Sequence, residues 1–284
     1  MNRLDPRRHP IRPDLAAEHL RGAVEAARFS IGTPLQVAVS RAPLRGRPEP
    51  EDPQTTELLF GETFTVYEDT DGWAWGQNAT DGYVGFVRRE SLDSVLVAPT
   101  HRVAVERTFL FPRPDLKSVP LDLGLSLTSR VGVVETTNGF ARLATGGFVF
   151  AKHLEPADTV RPDHAATALG LVGLPYLWGG RSSLGFDCSG LVQIALAAAG
   201  IAAPRDSDMQ TAEVGMLVSE DGTGVSFERG DLVFFPGHVA IMIDAQSVVH
   251  ATAFTLSVTV EPLAAVTARA GRITAVRRLP PRDR

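Results

Sequence analysis

Cysteine is nearly absent from this chain of 284 residues: Cys188 stands alone. A single thiol excludes an internal disulfide and any cysteine-rich zinc site, and leaves Cys188 as either an inert buried group or a reactive one. Basic stripes are missing as well. A net charge of −5 and a pI near 5.8 exclude a general nucleic-acid binder. Long apolar runs are also lacking. The longest, Leu191 to Ala203, is interrupted by Gln193 and Gly200 and falls short of the roughly 20 residues that a bilayer span needs. The N-terminal Met-Asn-Arg-Leu-Asp-Pro-Arg-Arg-His-Pro-Ile-Arg-Pro is basic but broken by prolines, and no apolar leader core follows it. Cytoplasmic residence without a membrane partner is the resulting expectation. No glycine-rich loop ending in Lys-Ser/Thr follows a strand, and Gly179-Gly180-Arg181-Ser182-Ser183 is too weak a pattern for nucleotide binding. No third or fourth ligand at sensible spacing joins His238 and His250, so neither metal nor cofactor is expected.

What is present suffices for a compact enzyme domain and one or two small modules: 44% of the residues are hydrophobic. Residues 14 to 29 carry apolar side chains at 20, 24 and 27 with charges between them, which predicts a short amphipathic helix in an N-terminal packing arm (1–34). The proline-rich stretch from Arg41 to Pro53 reads as an extended surface loop. Short β runs follow at Glu62 to Tyr67, Trp73 to Gln77 and Tyr83 to Val87, divided by Asp71-Gly72 and Asp81-Gly82 turns, as in a small barrel (35–98). A fainter second copy spans 99–157. From 158 to the end, the helix opened by Arg161-Pro162-Asp163 and a second from Cys188 to Ala199, stopped by Gly200, precede β runs at 231–235, 238–243, 248–252, 256–260 and 272–279. Helices followed by antiparallel strands make this an α+β domain.

Cys188 sits at the junction of a glycine-rich loop and the second helix. A thiol attacks as thiolate, and an unperturbed pKa of about 8.5 leaves little of it ionised at neutral pH. A helix N-terminus and a nearby imidazolium both lower that value, so a resting ion pair is the expectation. His238 and His250 lie on consecutive strand-like runs. If the turn between them has three residues, Asp244 to Gln246, then Ile243 opposes Ser247, Ala240 opposes His250, and the two imidazoles are diagonal neighbours on one face. A four-residue loop would put them on opposite faces. By the logic of a nucleophile, base and orienter, Cys188 attacks, His238 exchanges the proton and His250 fixes its tautomer. The Cys188 N–H and the Tyr176 hydroxyl are the candidate donors to a tetrahedral oxyanion.

Tyr176-Leu-Trp-Gly-Gly, Gly185-Phe-Asp-Cys-Ser-Gly190, Pro204-Arg-Asp-Ser, Gly230-Asp-Leu-Val-Phe-Phe235 and the segments around both histidines, in this order, resemble the NlpC/P60 family of papain-like cysteine peptidases over about residues 165 to 280. Leu-Leu-Phe-Gly-Glu, Gly-Trp-Ala-Trp and Gly-Tyr-Val-Gly-Phe-Val resemble a bacterial SH3 (SH3b) domain. The first resemblance implies a papain-like fold, Cys188, His238 and His250 as the catalytic set, and cleavage of peptidoglycan stem peptides. Together the two resemblances imply an enzyme that cuts the γ-D-glutamyl to L-diamino-acid bond of released murein peptides with a free N-terminal L-alanine. Tyr176, Asp187, Ser189 and Ser207 match positions that shape the substrate site in the family. Asp187 is read there as partner to the substrate ammonium, with helix capping as the alternative. Glu62 and Tyr83 are the candidates from the first SH3b module to complete the amine pocket. Two other readings stay open: a papain-like acyltransferase or amidase, and a wall-peptide-binding protein with an inert third domain.

Overall fold

A computed structural model describes residues 4–280 and divides the chain into two compact units between Ala157 and Asp158. In the first unit, seven strands form one antiparallel sheet in the order Gln54–Leu59, Arg41–Arg45, Val84–Arg88, Trp73–Asn78, Thr63–Thr70, Thr33–Val37 and Leu92–Asp93. Arg41–Arg45 is therefore a strand and not the predicted surface loop. Pro43 is tolerated because the strand's second edge is bridged only at Arg45↔Phe86, so its missing N–H breaks no ladder there. Residues 101–156 build a second β module of three small sheets around Val103, Leu125, Val131, Leu143 and Val149. Phe60 from the first module enters this core, which ties the two modules into one unit.

The predicted N-terminal helix is not formed. Residues 14 to 29 instead give Leu15–Ala17 and Arg28–Ser30, paired in parallel around one 3-10 turn at Glu18–Leu20. Leu15, Ala16 and Ala17 are all buried, which an amphipathic helix with one apolar stripe does not achieve, and Gly22 has a φ of 86° that ends helical geometry. The segment still packs onto its barrel. The Arg12 guanidinium lies 4.4 Å over the Trp75 ring and pairs with Glu68.

The second unit has the expected α+β order. Helix α1 (His164–Leu169) starts later than Pro162 suggested, with the Asp163 carboxylate accepting from the Ala166 N–H as its cap. Helix α2 (Cys188–Ala198) is buried over nearly its whole length and ends before Gly200, whose φ is 69°. Helix α3 (Ser207–Glu213) follows. Six antiparallel strands then form one sheet in the order Met216–Ser219, Ala275–Arg278, Leu232–Phe235, His238–Met242, Ser247–Thr252 and Ser257–Pro262. Helix α4 (Leu263–Ala270), absent from the sequence reading, covers one face through Leu263 and Val266 against Val233, Ala240, Met242, Val248 and Val276. Burying these side chains is worth about 1.5–3 kcal/mol each by area removed from water. The result is a rigid platform for the two histidines.

Candidate active site

Backbone packing at the start of α2 comes first. Asp187 caps the helix, accepting from the Gly190 N–H at 2.7 Å, and also accepts from the Gly179 N–H at 2.9 Å. A Cβ on Gly190 would lie 2.2 Å from the Gly180 carbonyl oxygen, and one on Gly180 would lie 2.4 Å from that of Gly185. These glycines let three backbone segments touch; they do not open space for a substrate chain. The loop thereby fixes where the first helical residue, Cys188, emerges.

Asp187, a candidate partner of the substrate ammonium, is also engaged within the fold. Arg205, only 1% exposed, donates to both of its oxygens at 2.9 and 2.7 Å, and the Ser189 hydroxyl donates at 3.3 Å. Five donors fill the lone-pair sites of one carboxylate. Asp187 caps α2 and holds the loop before it, the helix-capping alternative named for this residue. Ser189 also accepts from Arg205 at 2.9 Å, and its carbonyl accepts from the Gln210 amide on α3, the helix that Ser207 opens. Arg205 lay unassigned within the Pro204-Arg-Asp-Ser motif. Its burial is not visible in sequence.

His238 and His250 meet as the three-residue turn requires. Ile241↔Val249 and Met242↔Val248 pair, and the Ile243 N–H donates to the Ser247 carbonyl, so Ala240 falls opposite His250. The rings approach in a T-shaped arrangement with His238 Nε2 2.8 Å from His250 Nδ1. Beyond them, His250 Nε2 lies 2.9 Å from Glu261 Oε2, and that carboxylate is held by Arg269 at 2.7 Å. Glu261 was missed because it belongs to no motif. It reaches His250 only through the pairing of Ser247–Thr252 with Ser257–Pro262, His250↔Thr259 and Val248↔Glu261.

The Cys188 sulfur accepts from the backbone N–H groups of Ser189 and of Val239, the residue after His238, so the thiol faces the strand that carries His238. With 9% of its surface open, Cys188 is recessed but not sealed. Burial pushes its thiol up to about 11, with the Asp187 charge adding to the rise. Burial likewise pulls the His238 imidazole down to about 4, with the His250 and Arg269 charges adding. Desolvation is the leading cause of both shifts, and each favours the neutral form over the charged one. The Tyr176 phenol is pushed up to about 12, first by burial and then by Cys188 and Asp187, and so remains a proton donor beside the sulfur.

A pH dependence follows from these directions. Lowering the pH through the His238 value protonates its imidazole, so kcat/KM should fall on that side and hold level above it. Alkylation of Cys188 by iodoacetamide should climb from about pH 6 to about pH 9, because little thiolate exists beforehand. A rate that stays flat across that range would establish a resting ion pair instead.

Glu62 and Tyr83 lie in the first unit, both buried. Glu62 accepts from the Leu59 N–H at 2.9 Å and closes its own turn, while Tyr83 has 5% of its surface open. Both side chains, the candidates for an amine pocket, lie inside the first unit.

Residues 173–276 match the NlpC/P60 family, and residues 44–92 match the bacterial dipeptidyl-peptidase Sh3 domain. The chain is 29% identical over 240 residues to dipeptidyl-peptidase 6 of Lysinibacillus sphaericus, covering 76% of this chain and 86% of that protein. It is 29% identical over 199 residues to a gamma-D-glutamyl-L-lysine dipeptidyl-peptidase of Bacillus subtilis, covering 63% of each. Its fold is similar to the crystal structure of an NlpC/P60 family protein from Bacillus cereus, with a TM-score of 0.73 at 21% identity over 88% of this chain and 100% of that one. Ordered motifs, an α+β domain and these matches agree: the chain carries an NlpC/P60 domain that follows a bacterial SH3 domain in sequence.

Proposed function

We propose that the protein is a cysteine peptidase that hydrolyses the γ-D-glutamyl to L-diamino-acid amide bond of peptidoglycan stem peptides, with released peptides bearing a free N-terminal L-alanine as its substrates. The observation that carries this reading is the thiol at the start of α2, facing the strand of His238, whose ring is in turn held 2.8 Å from His250. The names of the relatives support the bond and the substrate class.

In this reading the Cys188 sulfur attacks the γ-glutamyl carbonyl carbon as the thiol proton passes to His238. The tetrahedral oxyanion is met by the Cys188 N–H, which as a first-turn group has no intrahelical acceptor, and by the Tyr176 hydroxyl. Collapse of the intermediate breaks the C–N bond. His238 returns its proton to the leaving amine, and a thioester remains on Cys188. Water, deprotonated by the same imidazole, then releases the L-Ala-D-Glu product and restores the thiol. The orienter needs no full charge, because a thiol gives up its proton far more readily than an alcohol.

Mass spectrometry of digests of L-Ala-γ-D-Glu-diaminopimelate and its lysine analogue, each free and N-acetylated, tests the proposal. The expected products are L-Ala-D-Glu and the free diamino acid, from unblocked peptides only. Equal cleavage of blocked peptides would refute the free-amine requirement, and transfer of the acyl group to an added amine in preference to water would favour an acyltransferase.

A further inference from the structure

We infer that Glu261 is a positioning residue that sets the tautomers of both histidines, so that His238 presents an unprotonated Nδ1 to the reacting thiol. The inference deepens the reading of Cys188, His238 and His250 as the reacting set and rests on it. Two distances carry the argument: His250 Nε2 to Glu261 Oε2 at 2.9 Å, and His238 Nε2 to His250 Nδ1 at 2.8 Å.

Arg269, contacting both oxygens of Glu261 at 3.1 and 2.7 Å, holds its pKa below the ordinary value, and His250 contributes to the same shift. An ionised carboxylate only accepts hydrogen bonds, so the proton between Glu261 and His250 sits on His250 Nε2. His250, 1% exposed, is kept neutral by burial, so its Nδ1 is the bare nitrogen and accepts. His238 must then donate from Nε2. Since His238 is also neutral, its Nδ1 carries a lone pair and no proton, and Nδ1 is the one ring nitrogen left to take the proton of Cys188. Without a fixed acceptor at the far end, either ring could adopt the other tautomer, and a proton on His238 Nδ1 would stop it from acting as the base. Glu261 acts through His250 and touches no reacting atom. The charged groups around this relay are Glu261 on the edge strand Ser257–Pro262, Arg269 on α4, and Asp187 and Arg205 behind the sulfur.

Two-bond proton–nitrogen correlation spectra of the full chain labelled with nitrogen-15 histidine provide the test, combined with kinetics of Glu261→Ala and Glu261→Gln. In the wild type, His250 and His238 should both be protonated at Nε2. In Glu261→Ala, His250 should become a mixture of tautomers, kcat should fall by about tenfold to a hundredfold with KM little changed, and iodoacetamide alkylation of Cys188 at neutral pH should slow in parallel. Glu261→Gln keeps an acceptor oxygen and should recover the tautomer and most of kcat. A wild-type His250 protonated at Nδ1 overturns the inference, as does Glu261→Ala with unchanged tautomers and unchanged kcat. An equal loss in both variants, tracking a loss of thermal stability, overturns it as well, since that marks a merely structural carboxylate. If the wild type leaves the stem peptide uncut, the substrate reading fails while the spectra and the alkylation rates still decide the role of Glu261.

Discussion

Replacing Cys188 with alanine is expected to lower kcat for stem-peptide hydrolysis by on the order of 10⁴-fold or more, because the variant cannot form the thioester. The fold should survive, since the side chain lost is small and its neighbours are backbone N–H groups and the strand of His238. His238→Ala should cause a loss of similar size. Because nucleophile and base act as one unit, the double variant should be no slower than the worse of the two singles. Steady-state kinetics with the product masses monitored would check all three. Appreciable hydrolysis by Cys188→Ala, free of contaminating enzyme, would remove the thiol from the mechanism. Binding of stem peptide that survives in the inactive variant would show that recognition is separable from chemistry.

The second large effect concerns stability. Arg205→Met should destabilise the protein by about 3–5 kcal/mol, because it leaves the Asp187 carboxylate buried without its bidentate partner. Asp187 also caps α2 at Gly190 and holds Gly179, so the seat of Cys188 should loosen and kcat should fall together with stability. Combining Arg205→Met with Asp187→Asn removes the orphaned charge and should regain part of the loss, a coupling that a double-mutant cycle measures. Chemical denaturation monitored in both units would reveal it. Additive losses from the two substitutions would mean that the ion pair contributes little and that packing alone holds the loop.

Much of the site was legible in the primary structure. Cys188 at a loop-to-helix junction, the two histidine segments and the condition that a three-residue turn places the rings on one face all came from residue order, because side-chain alternation in a hairpin follows from counting. The N-terminal arm was misread for a related reason: apolar spacing at 20, 24 and 27 fits a helix, but Leu15, Ala16 and Ala17 are buried together and the segment pairs as strands. Tertiary contact overrode local periodicity. Pro43 similarly suggested a loop where an incompletely laddered strand edge accepts it.

Chain order alone determined which groups are at hand: one thiol at a helix start and two histidines on adjoining strands. Only the folded protein decided how those groups are charged and held. Burial shifts the thiol and the imidazole toward their neutral forms, Arg205 pairs with the carboxylate beside the sulfur, and Glu261 comes to lie behind His250. Spacing along a strand specifies which face a side chain occupies. Protonation and pairing depend instead on how much water is excluded and which distant charges are brought within a few ångströms, and these follow only when helix and sheet pack together.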